Sequence, residues 1–285
     1  MTDRRIVDSH HHVWDLAVRP QPWITGPALR PLARSFSVAD LVPEARAAGV
    51  VASVVVQTVC VPEETPELLA LAARGGLVAG VVGWTDLTAP DVADAIAALR
   101  ELPGGDRLVG IRHQVQEEPD PAWLLRPDVR RGLLAVAAAG LAYDLVVTAG
   151  QLPAAARAAA GLPGVAFVLD HLGKPPIAAG EPEPWAADVR RLAALPNTVC
   201  KLSGMVTEAA PAWEVDDLRP YADTVLDAFG PQRLLFGSDW PVCTLRAGYA
   251  EVVLTAERLV EGLSPAEQDA ILYGNAVRVY GLRPP

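Results

Sequence analysis

Short apolar, β-branched runs alternate along this chain with longer stretches whose apolar positions recur at helical spacing. The runs predict strands at 5–12, 52–57, 77–83, 108–113, 142–147, 165–169, 198–202 and 234–239. Helices are expected between them. Ser37 with Asp40 three residues on reads as a capping box, and Gly49 ends the helix it opens. Thr65-Pro66 opens the next helix and Gly75-Gly76 closes it. Thr88 is expected to cap a third, running to residue 101. Further helices are expected at 127–139, 151–160, 184–195, 211–229 and 246–261, with two more at 264–273 and 275–280.

Strand and helix alternating eight times predict an α/β fold, a single (β/α)8 TIM barrel. An open doubly wound sheet is the competing architecture, but no G-x-G-x-x-G follows the first strand. Segment 14–35 holds Trp14, Trp23 and four prolines with little periodicity. It predicts a long loop after strand one, lying over one end of the fold. The last two helices are extra C-terminal elements. No composition break divides the chain, so residues 1–285 are expected to form one domain.

Composition narrows the function classes. A chain 51% hydrophobic and 20% charged is an ordinary globule. The formal net charge of −10 argues against nonspecific nucleic-acid binding. No apolar segment is long enough to span a membrane, and Met1-Thr2-Asp3-Arg4-Arg5 contains no signal-peptide core. Cys60, Cys200 and Cys243 are odd in number and lack a CxxC spacing, which points to reduced thiols. A cytoplasmic protein acting on a small molecule, as a monomer or homo-oligomer, is expected.

Candidate chemistry collects at the predicted strand ends, where barrels carry function. Strand one ends in Asp8-Ser9-His10-His11-His12. In a regular strand Asp8, His10 and His12 share a face and His11 takes the other. Two imidazoles on one face can chelate a single cation, although a histidine-rich surface turn would look the same. Strand two ends at Gln57, three at Trp84, four at Arg112-His113, six at His171, seven at Lys201 and eight at Asp239. Strand five holds Tyr143-Asp144, and all five histidines lie at such ends. A barrel places strand one beside strand eight, so His10, His12, His171 and Asp239 can converge. Three imidazoles and a carboxylate suit one Zn²⁺. Asp239 can alternatively serve as general base for an attacking water. Simpler roles also fit: His171 bonded to Asp170, and Asp239 as a turn residue before Trp240-Pro241.

The pieces Asp8-Ser9-His10-His11-His12, Gly110-Ile111-Arg112-His113, Asp170-His171-Leu172-Gly173-Lys174-Pro175 and Phe236-Gly237-Ser238-Asp239-Trp240-Pro241 resemble the amidohydrolase superfamily. The tail Tyr273-Gly274-Asn275-Ala276 does too. The likeness is to the amidohydrolase-related branch, with sugar-lactone lactonases of the L-fuconolactone and L-rhamnonolactone type and pyrone-dicarboxylate lactonases. It implies a hydrolase that opens a lactone, with His10 and His12 as the H-x-H pair, His171 as the later histidine and Asp239 as the strand-eight aspartate. It also leaves metal open: lactonases of this branch can work without one. Strand ends four and five lack the lysine and histidine of binuclear members, so at most one divalent cation is implied.

On this basis a sugar lactone is expected to be opened by direct attack of water. Asp239 takes the proton and returns it to the leaving ring oxygen, while His171 and His113, or a metal, stabilise the oxyanion. Arg112 either binds substrate or pairs with a buried acid. Trp23, Gln57 and Trp84 are expected to line a sugar-sized pocket, and Tyr143 to donate to substrate. Lys174 and Lys201 are candidate oxyanion stabilisers. A pyrone-dicarboxylate lactonase and a metal-dependent decarboxylase are the alternatives.

Overall fold

The apolar runs form eight parallel strands in a computed structural model that describes residues 5–283. Met1 to Arg4, part of the segment in which no signal-peptide core was read, lie outside the described residues. The strands are β1 Ile6–His11, β2 Val50–Val56, β3 Val78–Gly83, β4 Leu108–His113, β5 Ala142–Leu145, β6 Phe167–Leu169, β7 Thr198–Leu202 and β8 Leu234–Phe236. Each pairs with the next, in the order of the sequence. Helices return the chain between them: α1 Val38–Ala47, α2 Glu64–Ala72, α3 Val92–Glu101, α4 Pro127–Ala138, α5 Leu152–Gly161, α6 Trp185–Ala193, α7 Met205–Glu208, α8 Val215–Phe229 and α9 Tyr249–Leu259. The result is a (β/α)8 TIM barrel.

Side chains alternate along each strand, and the alternation sorts two cores. Ile6, Val55, Val81, Ile111, Tyr143, Phe167 and Leu234 pack outward against the helices. Val7, Val54, Val82, Ala142, Val168 and Leu235 fill the barrel with Ala276, Tyr280 and Leu282. Those last three come from the C-terminus. There α10 Pro265–Asp269 and α11 Asn275–Tyr280 are joined by a π-helical turn, Ala270–Gly274. The break expected before residue 275 is therefore a change of helical pitch.

Closure of the ring is made beyond β8. The Asp239 N–H donates to the His10 carbonyl at 2.8 Å, and the His12 N–H to the Trp240 carbonyl at 2.6 Å. Asp8 locks the join. Its buried carboxylate accepts from the Ser238 N–H at 2.8 Å, the Ser238 hydroxyl at 2.6 Å and the Tyr249 hydroxyl of α9 at 3.0 Å. Gly237 is required here, because a Cβ would stand 2.7 Å from the His10 Cβ.

Two expectations are corrected. Asp8 does not share a face with His10 and His12. β1 advances three residues from Asp8 to His11 while β2 advances two, from Ser53 to Val55. This bulge reverses the alternation between Asp8 and the histidine pair. Thr88 does not cap α3. Its N–H and hydroxyl bond to Asp86 in a turn, and the helix starts at Val92. The Ser37–Asp40 capping box is present.

The long loop after β1 is held by an aromatic chain. Trp14 meets Trp23 at 5.6 Å and Phe36 at 5.2 Å between centroids, and Phe36 meets Trp240 at 5.5 Å. Replacing Asp8 with alanine leaves buried donors of Ser238 and Tyr249 unpaired. Asp8→Ala should lose about 3 kcal/mol of stability, read as a lower urea midpoint. An unchanged midpoint would remove Asp8 from the closure.

Candidate active site

The bulge in β1 and two left-handed turns aim the chemistry at the C-terminal mouth of the barrel. Beyond β6, His171, Leu172, Gly173 and Lys174 all have φ between 51° and 72°. Beyond β8, Asp239 has φ 57°. Non-glycine residues held there cost about 1 kcal/mol or more each, and the surroundings must enforce the geometry. At Gly204 a Cβ would stand 2.5 Å from His171 Nδ1, so glycine is what lets that ring sit where it does.

These turns bring together His10, His12, His171 and Asp239. His10 Nε2 lies 3.1 Å from His12 Nε2. Asp239 Oδ1 lies 3.5 Å from His12 Nε2, 3.8 Å from His10 Nε2 and 3.9 Å from His171 Nε2. His12 Nδ1 donates to the Val56 carbonyl at 2.8 Å, which turns Nε2 toward the others. His171 Nδ1 is 2.9 Å from the Ser203 hydroxyl. Burial pushes the His171 pKa down to about 4, and burial with the Lys201 charge holds His10 well below its usual value. Burial opposes ionisation of Asp239, but His171 and His12 outweigh it and lower its pKa. The centre thus sets the neutral imidazoles of His10 and His171, together with the His12 ring, around a carboxylate.

The donor set suits a cation. A tetrahedral ion with bonds of about 2.1 Å has donor–donor edges of about 3.4 Å. The distances among His10, His12 and Asp239 bracket that value, and all three are buried.

Beneath this centre lies a charged layer. Lys201, fully buried, contacts Asp144 Oδ2 at 2.5 Å, Asp170 Oδ1 at 3.0 Å and His10 Nδ1 at 3.0 Å. Tyr280 donates to Asp144 from below. Arg112 donates to Asp170 at 3.0 Å and to the Gln57 side chain at 3.0 and 3.2 Å. It also contacts the Gln57 carbonyl, and lies 3.3 Å from His10 Nε2. Four of its five guanidinium N–H groups are therefore spent on Gln57 and Asp170, and the fifth is turned toward the His10 ring.

A cavity of about 330 Å³ opens above, lined by His12, His171, Asp239, Trp23, Lys174 and Arg112 among others. Of the substrate-contacting candidates, Trp23 faces it with its ring, its N–H being bonded to Gln21, and Lys174 faces it with an ammonium that makes no hydrogen bond among the described residues. Arg112 touches it but has no spare donor. Gln57 is spent on Arg112 and Gln114. His113, Trp84 and Tyr143 are not brought to it. His113 follows Arg112 and takes the opposite side, stacked on Trp123 at 4.2 Å and bonded to Glu118 and Trp84. Tyr143 likewise points outward, against Phe167. Lys201 is sealed below His10 and cannot reach a substrate oxyanion.

Glu208, Arg246, Gln114 and Gln116 also line the cavity. They stand past the strand ends, Glu208 on the short helix α7 and Gln116 in a helical turn, where little in the sequence marks them.

The amidohydrolase family model matches residues 7–282. A protein of Burkholderia multivorans named L-fucono-1,5-lactonase is 42% identical, covering 98% of this chain and 97% of its own. One of the same name from Burkholderia ambifaria is 37% identical, covering 98% and 96%. A crystal structure of an amidohydrolase from Burkholderia multivorans with bound zinc superposes with a TM-score of 0.89 at 42% identity, covering 98% of this chain and 99% of that one. With the family's match running from β1 through the C-terminal helices, the chain belongs to the amidohydrolase family.

Proposed function

We propose that this protein hydrolyses a sugar lactone. The observation that carries the reading is the Asp239 carboxylate, ionised and set among three imidazoles at the floor of a sugar-sized cavity. The whole-length relatives named as lactonases support it.

Asp239 accepts a proton from water as the water oxygen bonds to the lactone carbonyl carbon. Ser203 donating to His171 Nδ1 places the imidazole proton on Nε2, from which His171 donates to the developing oxyanion. The bond from the carbonyl carbon to the ring oxygen then breaks, and Asp239 returns its proton to that oxygen. The product is a hydroxy acid. Trp23 offers an apolar face to the ring. Cys243, buried with its pKa raised by that burial, is no rival nucleophile.

His12 and Asp239, with His10 and His171, would hold a single divalent cation such as Zn²⁺. When bound it would lower the pKa of water and polarise a carbonyl. A pyrone-dicarboxylate substrate is less well served: Arg112 is committed to Gln57 and Asp170, and the other cations of the cavity, Lys174 and Arg246, share its lining with Glu117 and Glu208, which repel carboxylates. We place the enzyme in the cytoplasm because its three cysteines are unpaired. Among the described residues no helix is long and apolar enough to cross a membrane.

Asp239→Asn should lower kcat on aldonolactones by about a thousandfold or more, with the circular-dichroism spectrum unchanged. A pH-indicator assay reads this directly, and an active, folded variant would end the general-base assignment. Because the Asp239 pKa is lowered, its basic form persists on acidification and is lost only below the ordinary carboxylate value. The kcat/KM profile should therefore hold its plateau down to about pH 5. Calorimetric titration with Zn²⁺ should saturate at one ion per chain, and His12→Ala should weaken that binding at least tenfold, by roughly the margin for lost ligand support. Equal affinity in the variant would place the ion elsewhere.

A further inference from the structure

We propose that Lys174 and Glu208 form a hydroxyl-reading pair that selects lactones bearing a hydroxyl on the carbon next to the carbonyl. The inference rests on the lactonase reading and sharpens its substrate class.

Hydrogen-bonding capacity is the starting point. Most polar groups around the centre are consumed: Arg112 by Gln57 and Asp170, Gln114 by Gln57 and the Thr58 carbonyl, Lys201 by Asp144 and Asp170. Lys174 and Glu208 are different. Their Nζ and Oε1 atoms stand 3.9 Å apart, beyond hydrogen-bond distance. Neither side chain makes a hydrogen bond among the described residues. Both are largely covered, at 28% and 30% side-chain exposure, and both line the cavity. Charged groups so withdrawn from water gain from a polar partner.

A hydroxyl is the partner that fits. It accepts one hydrogen bond and donates another. An oxygen at about 2.8 Å from each group spans the gap, accepting from the ammonium and donating to the carboxylate. A carboxylate or phosphate would satisfy Lys174 but repel Glu208, so the pair discriminates against anions.

Position selects which hydroxyl. Lys174 closes the left-handed turn that begins at His171. Lys174 and Glu208 line the same cavity as His171 and Asp239. The pair therefore borders the place that the carbonyl takes in the proposed reaction. The nearest ring substituent is the one on the adjacent carbon. Arg246 has a spare Nε–H at the same cavity, but among the described residues no carboxylate is paired with it to form a second such bridge.

The test compares a pentono-1,4-lactone with its 2-deoxy analogue. The wild type should favour the hydroxylated substrate at least tenfold in kcat/KM, in line with sites built to bond a substrate hydroxyl. Glu208→Ala and Lys174→Met should each shrink that ratio to about threefold or less. Glu208→Leu, which also removes the acceptor, serves the same purpose if the alanine variant does not fold. Equal turnover of the two lactones by the wild type, or a ratio that survives in both variants, overturns the pair's role and leaves the lactonase reading standing. Turnover of neither lactone by the folded wild type overturns that reading and this inference with it.

Discussion

The buried Lys201 ammonium is the interaction on which the site depends. It sits between Asp144 of β5 and Asp170 of β6, under His10 of β1. Arg112 of β4 adds a second cation on Asp170 and reaches β2 through Gln57. Two cations and two carboxylates balance in a layer buried from the surface. Such a layer gives little net stability against an apolar core, yet removing one member typically costs about 3–5 kcal/mol. Its value here is positional, because it fixes the strands relative to one another just below the chemistry. The two acids are not equivalent. Burial raises the Asp144 pKa to about 6, with a share of Lys201 and Tyr280 as compensation. Burial works against Asp170 too, but Lys201, His10 and Arg112 together hold it well below the usual range.

That rigid floor allows strain above it. His171 and Asp239 take left-handed backbone conformations that open loops would relax. Asp239 is pinned on both sides: its N–H bonds to the His10 carbonyl and its carbonyl accepts from Cys243. His171 is allowed by Gly204 and tied to Ser203. The bulge in β1 serves the same end. It frees Asp8 for the seam with Ser238 and leaves His10 and His12 aimed at the cavity.

The barrel was legible in the sequence because its strands are buried on both faces, which leaves continuous apolar runs between capped helices. The four central residues were legible because strand ends converge in a barrel, so His10, His12, His171 and Asp239 could be read by position alone. Parity was harder. Arg112 and His113 were both assigned to the site, although neighbours in a strand face opposite ways and only one can enter it. The bulge left no mark between Asp8 and His10, since the extra residue is an ordinary one. Helix starts failed where a turn competed, as with Thr88 and Asp86. Glu208 lies past β7 on a four-residue helix, beyond the reach of strand-end counting.

Whether a polar residue near the centre serves structure or substrate follows from its unspent capacity. Arg112 has a charge, the right place and a face on the cavity, but every N–H is already directed at protein. Breaking those bonds to bind a ligand would uncover Asp170 and Gln57, at the cost of burying them unpaired. Lys174 has weaker credentials by burial, yet its ammonium meets only a carboxylate too distant to bond. Ligand recognition therefore moves outward, from the saturated layer under His10 to the half-covered loops after β6 and β7. A fold that fixes its floor so tightly leaves those loops free to set which lactone enters without disturbing Asp239.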